Sequence, residues 1–316
     1  MSVFLSSMGK GLHSIAITGL SVALTSVLMP SAIAAEFADF LFIVDESGSM
    51  AGEHTWLGQM IGDLDVSLQA KGVGTGSAAN RFGLVGFGKT GSGELGRSFL
   101  LGGQQFGDAA AFAQATQKLV SRGSSEDGYA GIDFAFDRYQ FRNDAAVNIV
   151  LVTDEDRDIG NSVLSFYNTL NRLQQHDALL NVVVNYSAQD AQGQRVIGAD
   201  GHGNAFVADG AGGYQTTAYN ATNALINQSG TTGQDYVDLA WATGDQTVTG
   251  AMWDLNLLRS GGQSAASFTR AFVDIKADEA YRQGGKNPEN VPEPGTTLLV
   301  TGLALGIGKK LKDRTV

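Results

Sequence analysis

The chain has 316 residues with a formal net charge of −11, and it contains 42 glycines and no cysteine. An acidic chain with no basic stripe repels phosphate backbones, which argues against a nucleic-acid partner, and the absence of cysteine excludes disulfides, thiolate chemistry and Cys-based zinc sites. Glycine at about 13%, against roughly 7% on average, implies many turns and loops around one sizeable core.

In chain order, Lys10, the apolar run Ile15 to Leu28, Pro30 and the small residues Ser31 to Ala35 read as a secretory signal over residues 1–35. The run is short for a membrane span of about 20 residues. A domain is expected over 36–281. Its first strand, Phe40 to Val44, runs directly into Asp45-Glu46-Ser47-Gly48-Ser49. Open α/β sheets place their ligand sites at such strand ends. One carboxylate and two hydroxyls at i, i+2 and i+4 can turn toward one point, and oxygen donors of this kind suit a hard divalent cation. The same residues also fit a helix N-cap. Helix Trp56 to Ala70, strand Arg81 to Phe87, an antiparallel edge near Phe99 and helix Phe106 to Val120 follow.

The polar loop Ser124-Ser125-Glu126-Asp127 then opens a helix over Tyr129 to Tyr139, and the strand Val147 to Thr153 ends in Asp154. With three strand-end loops in this order, the chain resembles the von Willebrand factor A (vWA) family. That family's metal-ion-dependent adhesion site (MIDAS) combines Asp-x-Ser-x-Ser, a Thr-bearing second loop and a third-loop Asp. The resemblance covers roughly residues 37–280. It implies direct cation contacts from Ser47 and Ser49, and water-mediated ones from Asp45 and Asp154. It also implies a partner carboxylate completing the shell around Mg2+, with Mn2+ or Ca2+ as other occupants. Counting back from Gly131-Ile132, Glu126 stands where most members carry Thr, as is similar in integrin β subunits; Ser125 or Ser124 is the alternative second-loop ligand. Asp45, Glu126 and Asp154 together would over-neutralise a dication, which implies either tight metal retention with weak binding of an acidic partner or displacement of Glu126 when that partner arrives. Glu53 lies near where integrin β subunits keep acids for an adjacent calcium site. The run Asp154-Glu155-Asp156-Arg157-Asp158 offers a second cation position, or a solvated loop partly neutralised by Arg157. His54, His176 and His202 have no zinc-type spacing and read as surface residues.

Helix Ser162 to His176 and strand Leu179 to Tyr186 lead into an insertion over about 187–233. There Gln194 to Gly198 and Asn204 to Ala208 read as a β-hairpin and Tyr219 to Asn227 as a short helix. The insertion is either a partner-selecting surface or a cover for a sheet edge. A fifth parallel strand is expected at Tyr236 to Ala242, with Trp241 and Trp253 in the core around Thr243-Gly244-Asp245, and a last helix over Ser264 to Ala277. The fold class is therefore α/β: a doubly wound, mostly parallel sheet flanked by helices, with a β-hairpin insertion.

A polar linker over 282–290 leads to Val291-Pro292-Glu293-Pro294-Gly295, an apolar stretch Thr296 to Gly308 and Lys309, Lys310 and Lys312. This order over 291–316 resembles the PEP-CTERM sorting signal of Gram-negative bacteria. It implies processing by an exosortase, only transient membrane contact through the tail, and delivery to the cell surface or extracellular matrix. The function expected is an exported, cation-dependent adhesion protein that binds a protein or polysaccharide, not an enzyme. The alternatives are a structural matrix protein whose cation only stabilises loops and a metal-assisted hydrolase, which lacks an evident general base.

Overall fold

A computed structural model describes residues 36–76, 78–88, 96–219 and 230–283. In chain order the elements are β1 (Ala38–Asp45), α1 (Ala51–Ala70), β2 (Arg81–Phe87), β3 (Gly96–Ser98), β4 (Phe106–Gly107), α2 (Ala109–Thr116), α3 (Gly128–Arg138), β5 (Ala146–Thr153), α4 (Phe166–Gln175) and β6 (Leu179–Val184). There follow β7 (Gly198–Asp200), β8 (Asn204–Ala208), β9 (Tyr214–Ala218), a π-helical turn (Gly233–Val237), α5 (Asp238–Trp241), β10 (Ala251–Asp254), α6 (Leu255–Arg259) and α7 (Gly262–Gln283).

Five strands pair in parallel in the order β2-β1-β5-β6-β10. Every residue of β1 and β5 is buried, so these strands read as continuous apolar runs, as parallel strands covered on both faces must. Alternation along β1 divides the core. Phe40, Phe42 and Val44 pack with Trp56 and Leu57 of α1, Phe112 of α2 and Phe268 and Phe272 of α7. Leu41 and Ile43 pack with Tyr129 and Ile132 of α3, Leu173 of α4 and Tyr236. Chain direction through the sheet reverses between β1 and β5, so the crevice beyond their carboxyl ends is the switch point where such sheets bind ligands.

The expected antiparallel edge is present, with β3 and β4 both pairing β2. The first part of the helix expected from Phe106 is β4; Asp108 then caps α2 by accepting the Ala111 N–H at 2.8 Å. Tyr236 to Ala242 is not a strand. A short apolar run fits a strand or a buried helical turn equally, and here side chains decide. The Tyr236 hydroxyl accepts the Gly128 N–H at 3.0 Å and Tyr129 donates to the Asp235 carbonyl at 2.6 Å, which docks the segment on α3. The fifth parallel strand is β10 instead, after the Thr243-Gly244-Asp245 loop rather than before it.

The insertion forms the expected hairpin with its first strand shifted toward the C-terminus. The Asp200 carboxylate accepts the His202 and Asn204 N–H groups at 3.0 and 2.9 Å and closes the Gly201–Gly203 turn between β7 and β8. It does not lie over the sheet edge but continues the sheet: β7 pairs antiparallel with β10, β8 with β7 and β9 with β8. Phe206 stacks on Trp253 at 5.5 Å, and Trp253 donates to Asn181 Oδ1 at 2.8 Å. Residues 220–229, which hold most of the short helix expected from Tyr219, lie outside the described residues, as do the segment read as a secretory signal and the Pro-Glu-Pro tail. No described helix is long and apolar enough to cross a membrane.

Candidate functional site at the strand ends

Asp45 closes β1 with no exposed surface. Its Oδ1 accepts the Ser47 N–H at 2.6 Å and its Oδ2 accepts the Thr153 hydroxyl at 2.8 Å, which ties the first loop to the end of β5. The Ser47 and Ser49 hydroxyls lie 3.3 Å apart, and Ser49 donates to Asp154 Oδ1 at 2.9 Å. Four of the predicted residues, Asp45, Ser47, Ser49 and Asp154, therefore form one connected cluster at the switch point.

Glu46 brings in the second loop. Its buried carboxylate pairs with Arg97 and accepts the Val120 N–H at 2.8 Å, while its carbonyl accepts the Arg122 and Gly123 N–H groups at 2.9 and 2.7 Å. Gly123 is required by closeness: a Cβ there would sit 2.1 Å from the Gly88 carbonyl oxygen. Glu126 follows, half-buried beside the cluster, with Ser125 next to it. The Glu126 N–H donates to Asp158 at 3.3 Å.

The electrostatics are those of crowded acids. Burial pushes the Asp45 carboxyl up to about 6, against the opposing effect of the Ser47 and Thr153 hydrogen bonds. Burial first, then the charges of Asp45 and Asp158, push Glu126 up to about 7. Burial and the charges of Asp154, Asp156 and Asp158 raise Glu155.

Other expected positions are placed differently. Glu53 stands apart from the four, with Oε1 accepting from Arg259 Nε at 2.7 Å and Oε2 buried without a partner among the described residues. Asp156 is occupied in structure: its Oδ1 accepts the Thr231 and Thr232 N–H groups at 2.9 and 2.8 Å and the Thr232 hydroxyl at 2.6 Å. Arg157 does neutralise an acid, but that acid is Asp127, the cap of α3, at 2.7 Å. His54 is not on the surface; only 7% exposed, it places Nε2 2.8 Å from the Asp45 carbonyl oxygen.

Sequence reasoning missed Arg259, which is central to the site. Its guanidinium pairs with Glu53 and, through Nη1, with Asp154 Oδ2 at 2.9 Å, and donates to the Ser49 carbonyl at 3.2 Å. Nothing in its spacing could have shown this, because it lies on α6, more than a hundred residues after Asp154. Thr153 carried a weak signal, a hydroxyl at a strand end beside an acid.

The donor set fits a hard cation. All of its donors are oxygens, and among the described residues no cationic side chain pairs with the Asp45 carboxylate. Among the described residues no group of three or more His, Asp or Glu side chains is arranged to hold a metal ion, so any such site depends on the serine hydroxyls.

No family model matches the chain, and no curated protein does. Solved structures are similar at low identity. Proximal thread matrix protein 1 from the mussel byssus, known also with a zinc-occupied MIDAS motif, is 17% identical over 48% of this chain and 38% of its own, with a TM-score of 0.35. The pilus adhesin SpaC from Lactobacillus rhamnosus GG is 14% identical over 47% and 24%, at 0.33. BatB from Bacteroides thetaiotaomicron is 10% identical over 79% and 100%, at 0.41. The chain thus spans well under half the length of the first two, and the architecture rests on the sheet order described above.

Proposed function

We propose that this is an exported, divalent-cation-dependent adhesion or binding protein whose strand-end cluster holds Mg2+, or Mn2+ or Ca2+, and meets a carboxylate on a protein or polysaccharide partner. The observation that carries this reading is Asp45: a carboxylate with no exposed surface and, among the described residues, no cationic partner, joined to two serine hydroxyls and Asp154 at the switch point. Burying an unpaired charge is costly, and a bound cation offsets that cost. Asp45, Ser47, Ser49 and Asp154 would hold the ion, with Glu126 or Ser125 from the second loop. The cation would supply a Lewis-acidic position for a partner's carboxylate. Export and exosortase-dependent sorting to a bacterial surface or matrix belong to the same proposal, supported by the order of residues in the two terminal segments.

A second reading, in which the cation only stabilises loops of a structural matrix protein, gains from Arg259, which already cross-links the first and third loops. Calorimetry with Mg2+, Mn2+ and Ca2+ on wild type and Ser49→Ala separates the two. The binding reading expects cation affinity to fall at least about tenfold with the metal-free melting temperature unchanged. A lowered metal-free melting temperature supports the structural reading, and no binding by wild type at millimolar metal removes both.

A further inference from the structure

Ile159, Val163 and Tyr167 are 70%, 71% and 74% exposed, and all three fall in the segment that follows Asp154 out of β5. Val66 and Leu100 are exposed too, but singly and on other elements, as scattered apolar residues are on most protein surfaces. The backbone that carries the three is fixed. Ile159 lies between two bonds to the second loop: the Asp158 N–H donates to the Glu126 carbonyl at 3.0 Å and the Gly160 N–H to the Asp127 carboxylate at 3.1 Å. The Val163 N–H donates to Asn161 Oδ1 at 3.0 Å, its carbonyl accepts from Asn168 Nδ2 at 2.9 Å, and Arg157 donates to the neighbouring Leu164 carbonyl at 2.9 Å. Tyr167 follows in the first turn of α4. Three large apolar side chains are thus held in water on a braced segment that adjoins both Asp154 and Glu126. A surface fixed before its partner arrives loses little freedom on binding.

The side chains present select the kind of partner. Ile159 and Val163 offer a sugar neither a hydrogen-bonding group nor a flat ring, so they gain only by covering other apolar side chains. Glu155 and Asp158 are exposed on the same segment, and Arg157 between them is buried against Asp127, so the rim stays acidic. Such a rim repels an anionic membrane surface and attracts a basic group. We propose, resting on the cation site proposed above, that the partner is a protein rather than a polysaccharide. It is recognised through a segment whose carboxylate reaches the cation and whose adjoining large apolar side chains cover Ile159, Val163 and Tyr167, with a Lys or Arg beside them facing Glu155 and Asp158.

Fluorescence polarisation on the full chain tests it with short synthetic peptides, each carrying a central Glu and one Lys and flanked either by Leu and Phe or by Ser and Asn. In Mg2+ the apolar-flanked peptides should bind at least about tenfold more tightly than the polar-flanked ones, a difference that needs only about 55 Å² of apolar surface buried. Chelator, or Gln in place of the peptide Glu, should weaken binding at least about tenfold. Ile159→Ser/Val163→Ser/Tyr167→Ser, all at exposed positions, should bind the two peptide sets alike while keeping the Mg2+ affinity and melting temperature of wild type. Wild type that binds Mg2+ but shows no apolar preference overturns the proposal and leaves the cation site standing. A triple variant that retains the preference, or apolar peptides that bind as well in chelator, does the same. An acidic oligosaccharide, a phosphatidylglycerol vesicle or a second copy of this chain that binds wild type and not the triple variant overturns it equally, by giving the surface a different occupant. Wild type that binds no Mg2+ removes the proposal together with the cation site beneath it.

Discussion

Replacing Arg259 with methionine keeps much of its apolar stem and deletes the cationic group joined to Glu53, Asp154 and Ser49. Without metal the variant should be less stable. Breaking a fully buried ion pair costs about 3–5 kcal/mol, but the Arg259 side chain is 31% exposed while Glu53 is 3% exposed, so solvent screening reduces this to roughly 2 kcal/mol. For a domain of this size that lowers the melting temperature by about 4–8 °C. Cation binding should move the other way. A positive charge ~6 Å from a bound dication, at an effective dielectric of ~20, repels it by roughly 5.5 kcal/mol, and exposure halves this to about 2.8 kcal/mol, or about a hundredfold in affinity. Arg259→Met should therefore bind Mg2+ and Mn2+ about a hundredfold more tightly, and metal should raise its melting temperature more than it raises that of wild type. Titration calorimetry with paired melts in chelator and in metal measures both. A variant that loses stability and also loses cation affinity refutes the reasoning, since Arg259 would then position Asp154 for the ion instead of competing with it.

Asp45 gives a pH dependence to the metal-free protein. Its pKa is raised from 3.8 to about 6 in the folded state, so the folded protein holds this proton more tightly than the unfolded chain does. Stability from this group is complete below about pH 4 and is lost as pH rises through about 6, by roughly 3 kcal/mol for two units of about 1.4 each. Asp45→Asn should flatten that slope in urea unfolding measured with chelator from pH 4 to 7.5; an unchanged slope assigns it to other acids. Phe206→Ala should cost about 3–5 kcal/mol and speed amide exchange in β7 and β10 before β1 and β5, and uniform exchange would show that the insertion is not held through this ring. Lys276→Met leaves the buried Glu279 carboxylate with Asn181 as its partner among the described residues and should cost about 3–5 kcal/mol, most of it recovered in Lys276→Met/Glu279→Leu. If the double variant is no more stable than the single one, polar contacts rather than charge balance hold α7.

The strands that form the site were legible because their information is local. Phe40 to Val44 and Val147 to Thr153 are apolar runs ended by an acid, and burial on both faces produces both that pattern and the switch-point crevice. Tyr236 to Ala242 failed for the opposite reason: its conformation is decided by hydroxyl contacts to Gly128 and from Tyr129, more than a hundred residues upstream. β10, four residues long, is too short for its period to show. At the site itself, Asp45, Ser47, Ser49 and Asp154 announced themselves by type and spacing. Arg259 and the burial of His54 did not, because each depends on which helix end the tertiary fold brings over the loops.

The pairing of β7 with β10 changes what the insertion is. In a sheet that ended at β10, the hairpin would be a module, free to be lost or exchanged between relatives while the domain kept its fold. Here β10 has neighbours on both sides, all four of its residues are buried, and Trp253 is covered by Phe206 from the inserted segment. Excising the hairpin would uncover a tryptophan and an unpaired inner strand, the kind of bare apolar edge that invites another chain to pair with it. The segment is thus fixed in place by what it covers, and its length and loops can diversify only on the far side of β8.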